Sequence, residues 1–404
     1  MKDISSRIKK VLFISSLYRP NVGGVETTIE ELANKYRNLG IEVAVLTKRY
    51  PFNLPELETI NQVPIYRIIR PKNEKDYLKS IDWLKYYNSS IKADIIHLFQ
   101  VHRPMPLYGL LLSKLWKVPL VINYAGGDIP EPNDPFSQKM WKEGEGIVKE
   151  SLLQADQHIS FSKSLSNYVK KVLPEIKKID LIYAGLDTNK IANSEIYKPG
   201  YDYFVSIRRL EKDKGIDILI KAFNMISVNY PRIHLIIVGD GSDRKNLEHL
   251  VDTLDSKEKI HFVGTIKLEE TFKYLRGAIA NICPSRAEAG GIINFAAQAA
   301  GTVAIGSNIG GIPEYINHNK TGLLFHSEDI KELSFYLSEV IKNRKLRANL
   351  INNSLEKVKE YDWENIAKKY LLIYEKLINN YIATDFKPWS ILSKKMWDQL
   401  KNDF

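Results

Sequence analysis

Cysteine is almost absent: Cys283 is the single one in the chain. One thiol makes no disulfide framework and excludes a Cys-rich zinc or iron–sulfur site. Reducing, cytosolic conditions are the simplest reading. Histidine is sparse too. The eight present show no HExxH or other ligand spacing, so no metal site is expected. No run of about 18 apolar residues occurs, which argues against a transmembrane helix. The opening MKDISSRIKK leads straight into a short apolar stretch. It lacks the longer apolar core and small-residue cleavage site of a signal peptide, so none is expected. Neither the GxGxxG fingerprint nor a GKS/GKT P-loop is present.

What is present is a chain of 404 residues, 44% hydrophobic and 26% charged. Two domains are expected, with enough chain to bury a large core without staples. The net charge of +10 suits polyanions, anionic lipid headgroups or phosphorylated small molecules. Nucleic acid is not expected, because the basic residues are scattered and no helix-turn-helix or base-stacking motif is visible.

Short apolar runs alternate with longer helical patterns. Strands are expected over Val11–Ser15, Glu42–Thr47, Pro64–Ile69, Asp94–Phe99, Leu120–Tyr124, Gln157–Phe161 and Asp180–Ile182. Their Val, Ile and Leu content on both faces is that of a covered parallel sheet. After a linker over Asn189–Asp202 the pattern restarts, with strands over Tyr203–Ile207, His234–Val238, Ile260–Val263, Ile279–Cys283, Thr302–Ile305 and Gly322–Phe325. The expectation is α/β: two Rossmann-like, doubly wound domains over 1–190 and 200–374, facing each other across a cleft, with helices over 375–404 packing back on the first.

Three loops carry chemistry. After the first strand, Gly23 and Gly24 precede a helix, where backbone and helix N-terminus accommodate an anion. By itself this reads first as an ordinary strand–helix turn. In Arg208-Arg209-Leu210-Glu211-Lys212-Asp213-Lys214-Gly215, Arg209 has the fork that grips phosphate oxygens and Lys214 is a point charge beside it. By itself this reads first as a solvated charge run. In Pro284-Ser285-Arg286-Ala287-Glu288-Ala289-Gly290-Gly291-Ile292, a carboxylate accepts from sugar hydroxyls while open backbone N–H groups donate. A further tight turn is Gly310-Gly311-Ile312-Pro313-Glu314.

Taken in order, the GGVE loop, RRLEKDKG, VGDG, PSRAE, AAGTVAI, GGIPE and NKTGLLF resemble the retaining glycosyltransferases of family 4, group 1, which have the GT-B fold. The resemblance runs nearly the whole chain, down to Tyr361-Asp362-Trp363-Glu364. It implies that Gly23 and Gly24 pack on the donor's diphosphate or the reacting centre. It implies that Arg209 and Lys214 neutralise the leaving diphosphate in place of a metal, so that no cofactor or metal is required. Glu288 matches a glutamate that contacts the donor sugar, Gly290, Gly291 and Ile292 match backbone donors to sugar hydroxyls, and Phe262, Val263 and Gly264 match the strand end where the base rests. The implied activity is transfer of a sugar from a nucleotide-diphosphate sugar to an acceptor hydroxyl in polysaccharide or glycolipid biosynthesis. Donor binding falls to the second domain and acceptor binding to the first.

Three positions depart from the family pattern. A second glutamate is replaced by Ala296, an N-domain histidine by Ala125, and a Pro-Asn-Gly by Tyr183-Ala184-Gly185. Asp128 and His102 are then the side chains expected to take over sugar or acceptor contacts. The alternative these changes open is a non-catalytic homologue that serves an active protein partner. A sugar-nucleotide epimerase or a phosphorylase on the same fold fits less well.

Elsewhere, Cys283 reads as a buried structural thiol and His97 as a satisfied core histidine. The basic, aromatic stretch Lys72–Lys92 and the apolar Pro106–Val118 read as a helix-bearing surface packed on the sheet, or as peripheral contact with the inner face of an anionic membrane. A lipid-linked or cell-surface glycan is the acceptor class that follows from the second reading. Lys387–Phe404, with Trp389 and Trp397, is expected to dock on the first domain or touch membrane.

Overall fold

The computed structural model describes residues 8–21, 23–70, 74–126, 129–130, 135–288 and 291–383. The chain forms two compact units, Met1–Tyr183 with Trp363–Phe404, and Ala184–Asp362.

The first unit is built on an eight-stranded sheet. Its strands are β1 (Lys10–Ser15), β2 (Glu42–Lys48), β3 (Leu57–Ile60), β4 (Val63–Ile68), β5 (Ile95–Phe99), β6 (Leu120–Tyr124), β7 (Gln157–Ser160) and β8 (Asp180–Leu181), in the order β3-β4-β2-β1-β5-β6-β7-β8. All neighbours run parallel except β3 against β4. Strands β5 and β6 are buried along their whole length, which is why their sequences are mostly apolar on both faces rather than alternating. Strand β3 was not expected. It is a half-exposed edge strand joined to β4 by the two-residue turn Asn61-Gln62, both at positive φ, the conformation that closes a tight hairpin.

The second unit carries β9 (Asp202–Ile207), β10 (Ile233–Val238), β11 (Ile260–Gly264), β12 (Ala280–Cys283), β13 (Val303–Ser307) and β14 (Leu323–Phe325), all parallel, in the order β11-β10-β9-β12-β13-β14. The strand order reverses direction between β9 and β12. In the first unit the corresponding reversal lies between β1 and β5. Such switch points leave a crevice at the carboxyl ends of the strands, where ligands of these sheets bind.

The unit boundaries differ from those expected. Thr188–Ala192 is a helix of the second unit, N-capped by the Asp187 carboxylate, which accepts from the Lys190 N–H at 2.8 Å. The Leu186 N–H donates to the Tyr361 carbonyl at 2.8 Å, and the Thr188 hydroxyl donates to Asp362 at 2.8 Å. These bonds tie the start of the unit to its end and move the break before Ala184. The return to the first unit begins at Trp363 rather than 375. In the helix Trp363–Asn380, Trp363, Ile366, Ala367, Tyr370, Leu371 and Tyr374 recur at helical spacing and are buried. They share a core with Ile29, Leu32 and Tyr36 of the helix Gly24–Asn38 and with Phe13 and Val45 of the sheet. Each such large apolar side chain contributes about 1.5–3 kcal/mol on burial. Lys387–Phe404, with Trp389 and Trp397, lies outside the described residues.

Candidate active site

In the second unit the candidate residues gather at the switch point. Strand β9 ends at Ile207, and the chain bends at Arg208, whose N–H still donates to the Val238 carbonyl at 2.9 Å. Arg208 turns inward, its side chain 7% exposed, while Arg209 is exposed. The turn is pressed tightly against its neighbour: a Cβ on Gly239 would lie 1.9 Å from the Arg208 carbonyl oxygen, so only glycine fits there.

The Arg208 guanidinium has two partners in the loop after β12. Nη1 donates to Ser285 Oγ at 2.8 Å and Nη2 to Glu288 Oε2 at 3.0 Å. Lys214 approaches the same Oε2 at 3.5 Å and also reaches the Ala287 carbonyl at 3.3 Å and Asp213 at 3.0 Å. The Ser285 hydroxyl donates to Oε2 at 3.3 Å. Glu288 and Lys214 side chains are 15% and 13% exposed, so the charges meet in a partly desolvated place where they interact more strongly than at the surface. Gly215, at φ +66°, lets the turn Lys212–Lys214 lie on this loop; a Cβ there would meet the Pro284 carbonyl oxygen at 2.0 Å. Arg286 staples the loop from outside. Its N–H donates to the Asp213 carbonyl at 2.7 Å, its guanidinium binds Asp217 at 2.7 and 2.9 Å, and it also pairs with Glu328.

The structure thus brings Lys214 and Glu288 together, with Arg208 rather than Arg209 as the arginine in contact with them. Sequence reasoning missed Arg208. Arg209 makes no ion pair among the described residues, and Glu211 is its electrostatic neighbour. Gly264 ends β11 at φ +83°, and its carbonyl accepts the Gly239 N–H at 2.9 Å. Val263 beside it is 37% exposed, whereas Phe262 packs on the core. Gly291 takes φ +102° and Ile292 is 40% exposed. Ala296 is buried on the helix Ile293–Ala299. Gly290 lies outside the described residues.

In the first unit, Gly23 and Gly24 start the helix Gly24–Asn38 at the carboxyl end of β1. Across the switch point the Ser16 hydroxyl donates to the Gln100 carbonyl at 3.4 Å and the His102 carbonyl at 3.3 Å. Glu26, which the sequence reading left without a role, is 4% exposed in the first turn of this helix. Burial raises its pKa above the ordinary carboxylate range, opposed by its own backbone N–H, by Arg19 and by a hydrogen bond from Gln100. Ala125 is partly buried, and Asp128 lies outside the described residues.

Among the described residues no group of three or more His, Cys, Asp or Glu is placed to hold a metal, and no helix is long and apolar enough to cross a membrane. Cys283 is a free, fully buried thiol. His97 is fully buried, with Nδ1 hydrogen-bonded to the Tyr374 hydroxyl and Nε2 without a partner among the described residues. The helix Met105–Trp116 has its apolar side chains buried in the core, so the packed reading holds for Pro106–Val118. On the preceding helix Tyr86 is 79% exposed, while Trp83 and Tyr87 pack on the core.

Two known families match. Residues 22–190 match the family described as Glycosyltransferase Family 4, and 187–357 that described as Glycosyl transferases group 1. An uncharacterized glycosyltransferase of Methanocaldococcus jannaschii is 28% identical over 91% of this chain and 98% of its own. The N-acetyl-alpha-D-glucosaminyl L-malate synthase of Bacillus anthracis is 24% identical over 88% and 94%. Among solved structures, Anabaena HepE in complex with UDP superposes with a TM-score of 0.74 at 18% identity, over 91% of this chain and all of that one.

Proposed function

The chain belongs to the group 1 glycosyltransferases of family 4, with the GT-B fold, and we propose that it moves a sugar from a nucleotide-diphosphate sugar to an acceptor hydroxyl with retention of anomeric configuration. The observation that carries this reading is the meeting of Arg208, Lys214 and Glu288 at the switch point of the second unit, with exposed Arg209 adjacent. HepE, whose fold this chain shares, is solved with UDP and with UDP-glucose, which supports a nucleotide-sugar donor.

In this reading the diphosphate lies against Arg209 and Lys214. These cations stabilise the charge that develops as the bond between the anomeric carbon and the phosphate oxygen breaks, an electrostatic effect of several kcal/mol in such sites. Glu288 accepts a hydrogen bond from a sugar hydroxyl. The acceptor oxygen bonds to the anomeric carbon on the face the phosphate leaves, and its proton passes to the leaving phosphate oxygen. No metal is needed, because the two side chains supply the positive charge.

The first unit holds the acceptor near its own switch point, where Gly23, Gly24 and His102 lie. A lipid-linked or cell-surface glycan is the acceptor class we favour, and the inner face of the cell membrane the place. The net charge of +10 and the exposed Tyr86 support it.

The test is thermal melting against UDP, GDP, ADP, dTDP and CMP without added metal. A ligand that binds only the folded chain raises the melting temperature by mass action. A shift with one diphosphate that disappears in Arg209→Ala supports the reading and names the base. No shift with any of them removes it.

A further inference from the structure

The two arginines that follow β9 divide the work, and we propose that Arg208 is a positioning residue that aims Glu288 at the donor sugar while Arg209 takes the phosphate. This rests on the donor-site reading given above. The guanidinium of Arg208 lies 7% exposed behind Glu288, and its two terminal nitrogens are both used, one on Ser285 Oγ and one on Glu288 Oε2. A planar fork with two fixed partners sets the direction of a carboxylate as well as its position. Every hydrogen bond that Glu288 accepts from Arg208, Ser285 and Lys214 goes to Oε2. Among the described residues none goes to Oε1, which is thus kept as the acceptor for a ligand hydroxyl.

Both members of the Arg208–Glu288 pair are themselves held. The backbone of Arg208 is fixed by its bond to Val238 and by the close approach of Gly239. The Glu288 carbonyl accepts the Gly311 N–H at 2.9 Å. Arg208 also keeps Glu288 from closing fully on Lys214, whose ammonium stands 3.5 Å from Oε2. Without Arg208, the carboxylate's remaining cationic partner is Lys214, and it would both turn away from the sugar and compete with phosphate there.

The experiment compares wild type, Arg208→Met, Arg208→Lys, Glu288→Gln and the Arg208→Met/Glu288→Gln double variant. Each is probed with UDP, GDP, ADP and dTDP and with the glucose conjugate of each, and by melting without ligand. Arg208→Met is expected to bind the effective nucleoside diphosphate within about threefold of wild type and to lose about tenfold or more in affinity for the nucleotide sugar and in kcat. Arg208→Lys recovers part of that loss, since it restores the charge but not the fork. The melting losses of the two single variants exceed that of the double variant when summed, because each alone takes from the other side chain the partner it has in the wild type. A tenfold loss of bare diphosphate affinity in Arg208→Met makes Arg208 a phosphate ligand and overturns the proposal. Unchanged sugar-nucleotide affinity and kcat overturn it as well. If the wild type answers to none of these ligands, the donor-site reading fails, and additive melting losses then sink the pairing independently.

Discussion

A Cβ added to Gly310 would lie 1.9 Å from the carbonyl oxygen of Glu288. The loop after β13 is thus the mould in which the backbone of Glu288 is set. Gly310 also takes φ +55°, a region that other residues enter only with strain. Gly310→Ala is expected to cost about 1–3 kcal/mol of stability and to push the Glu288 loop outward. A displacement of about 1 Å at a reacting group can cost roughly a hundredfold in rate. Melting temperature and kcat measured on one preparation check this. A variant with wild-type values for both would mean that the loop does not depend on this contact.

Arg209 is exposed and makes no ion pair among the described residues, so folding owes it little. Arg209→Ala is expected to melt within a degree or two of wild type, as surface substitutions usually do. Turnover should fall about tenfold to a hundredfold, the value of a charge-assisted hydrogen bond to phosphate. Wild-type turnover would sink the assignment of Arg209. On the proposed reading, in which side chains supply the positive charge, the same assay with EDTA is expected to give unchanged rates.

Much of this arrangement is legible in the sequence. Lys214 and Glu288 each follow an apolar run that ends a strand, and parallel strands deliver such loops to one edge. The choice between Arg208 and Arg209 is not legible in the same way. Strand β9 is buried on both faces from Tyr203 to Ser206, so no polar–apolar alternation sets the phase in which the chain leaves it. The unit boundary is not legible either, because it rests on Leu186 and Thr188 meeting Tyr361 and Asp362, contacts between distant segments that composition does not record. Glu26 escaped notice for a related reason. A glutamate in a helix's first turn ordinarily reads as a solvated partner of the helix dipole, and its burial depends on the fold around it.

Two buried histidines are expected to make the first unit acid-sensitive. Burial lowers the pKa of His158 from 6.5 to about 4, and that of His97 falls well below the ordinary value for the same reason. The Tyr124 hydroxyl lies 3.0 Å from His158 Nδ1, within hydrogen-bonding distance of the ring. Folding therefore favours the deprotonated forms, while the unfolded chain takes up protons near pH 6.5. The stabilisation is present above that pH and is lost as pH falls from about 6.5 through 4, on the order of 3 kcal/mol for His158 alone. Melting followed from pH 8 to pH 4.5 should show a steady fall, and His158→Gln a shallower one. Parallel curves would show that His158 is not neutral in the folded chain.

Glu26 predicts the opposite slope. Its folded-state pKa is raised, chiefly by burial, so the folded chain binds its proton more tightly than the unfolded chain does. The stability this gives is present below the unfolded carboxylate pKa of about 4.3 and is lost as pH rises through the folded value. At pH 8 the ionised carboxylate is a net cost that a neutral amide of similar shape does not carry. Glu26→Gln is therefore expected to melt above wild type at pH 8, with the gap narrowing as pH falls toward 4.5. Gln100 supplies the hydrogen bond that partly offsets the cost, so Gln100→Ala should widen the gap. Melting of the three chains at four pH values decides it. A Glu26→Gln chain that melts below wild type at pH 8 would show that the carboxylate is held ionised by Arg19 and Gln100, and that burial is the weaker effect.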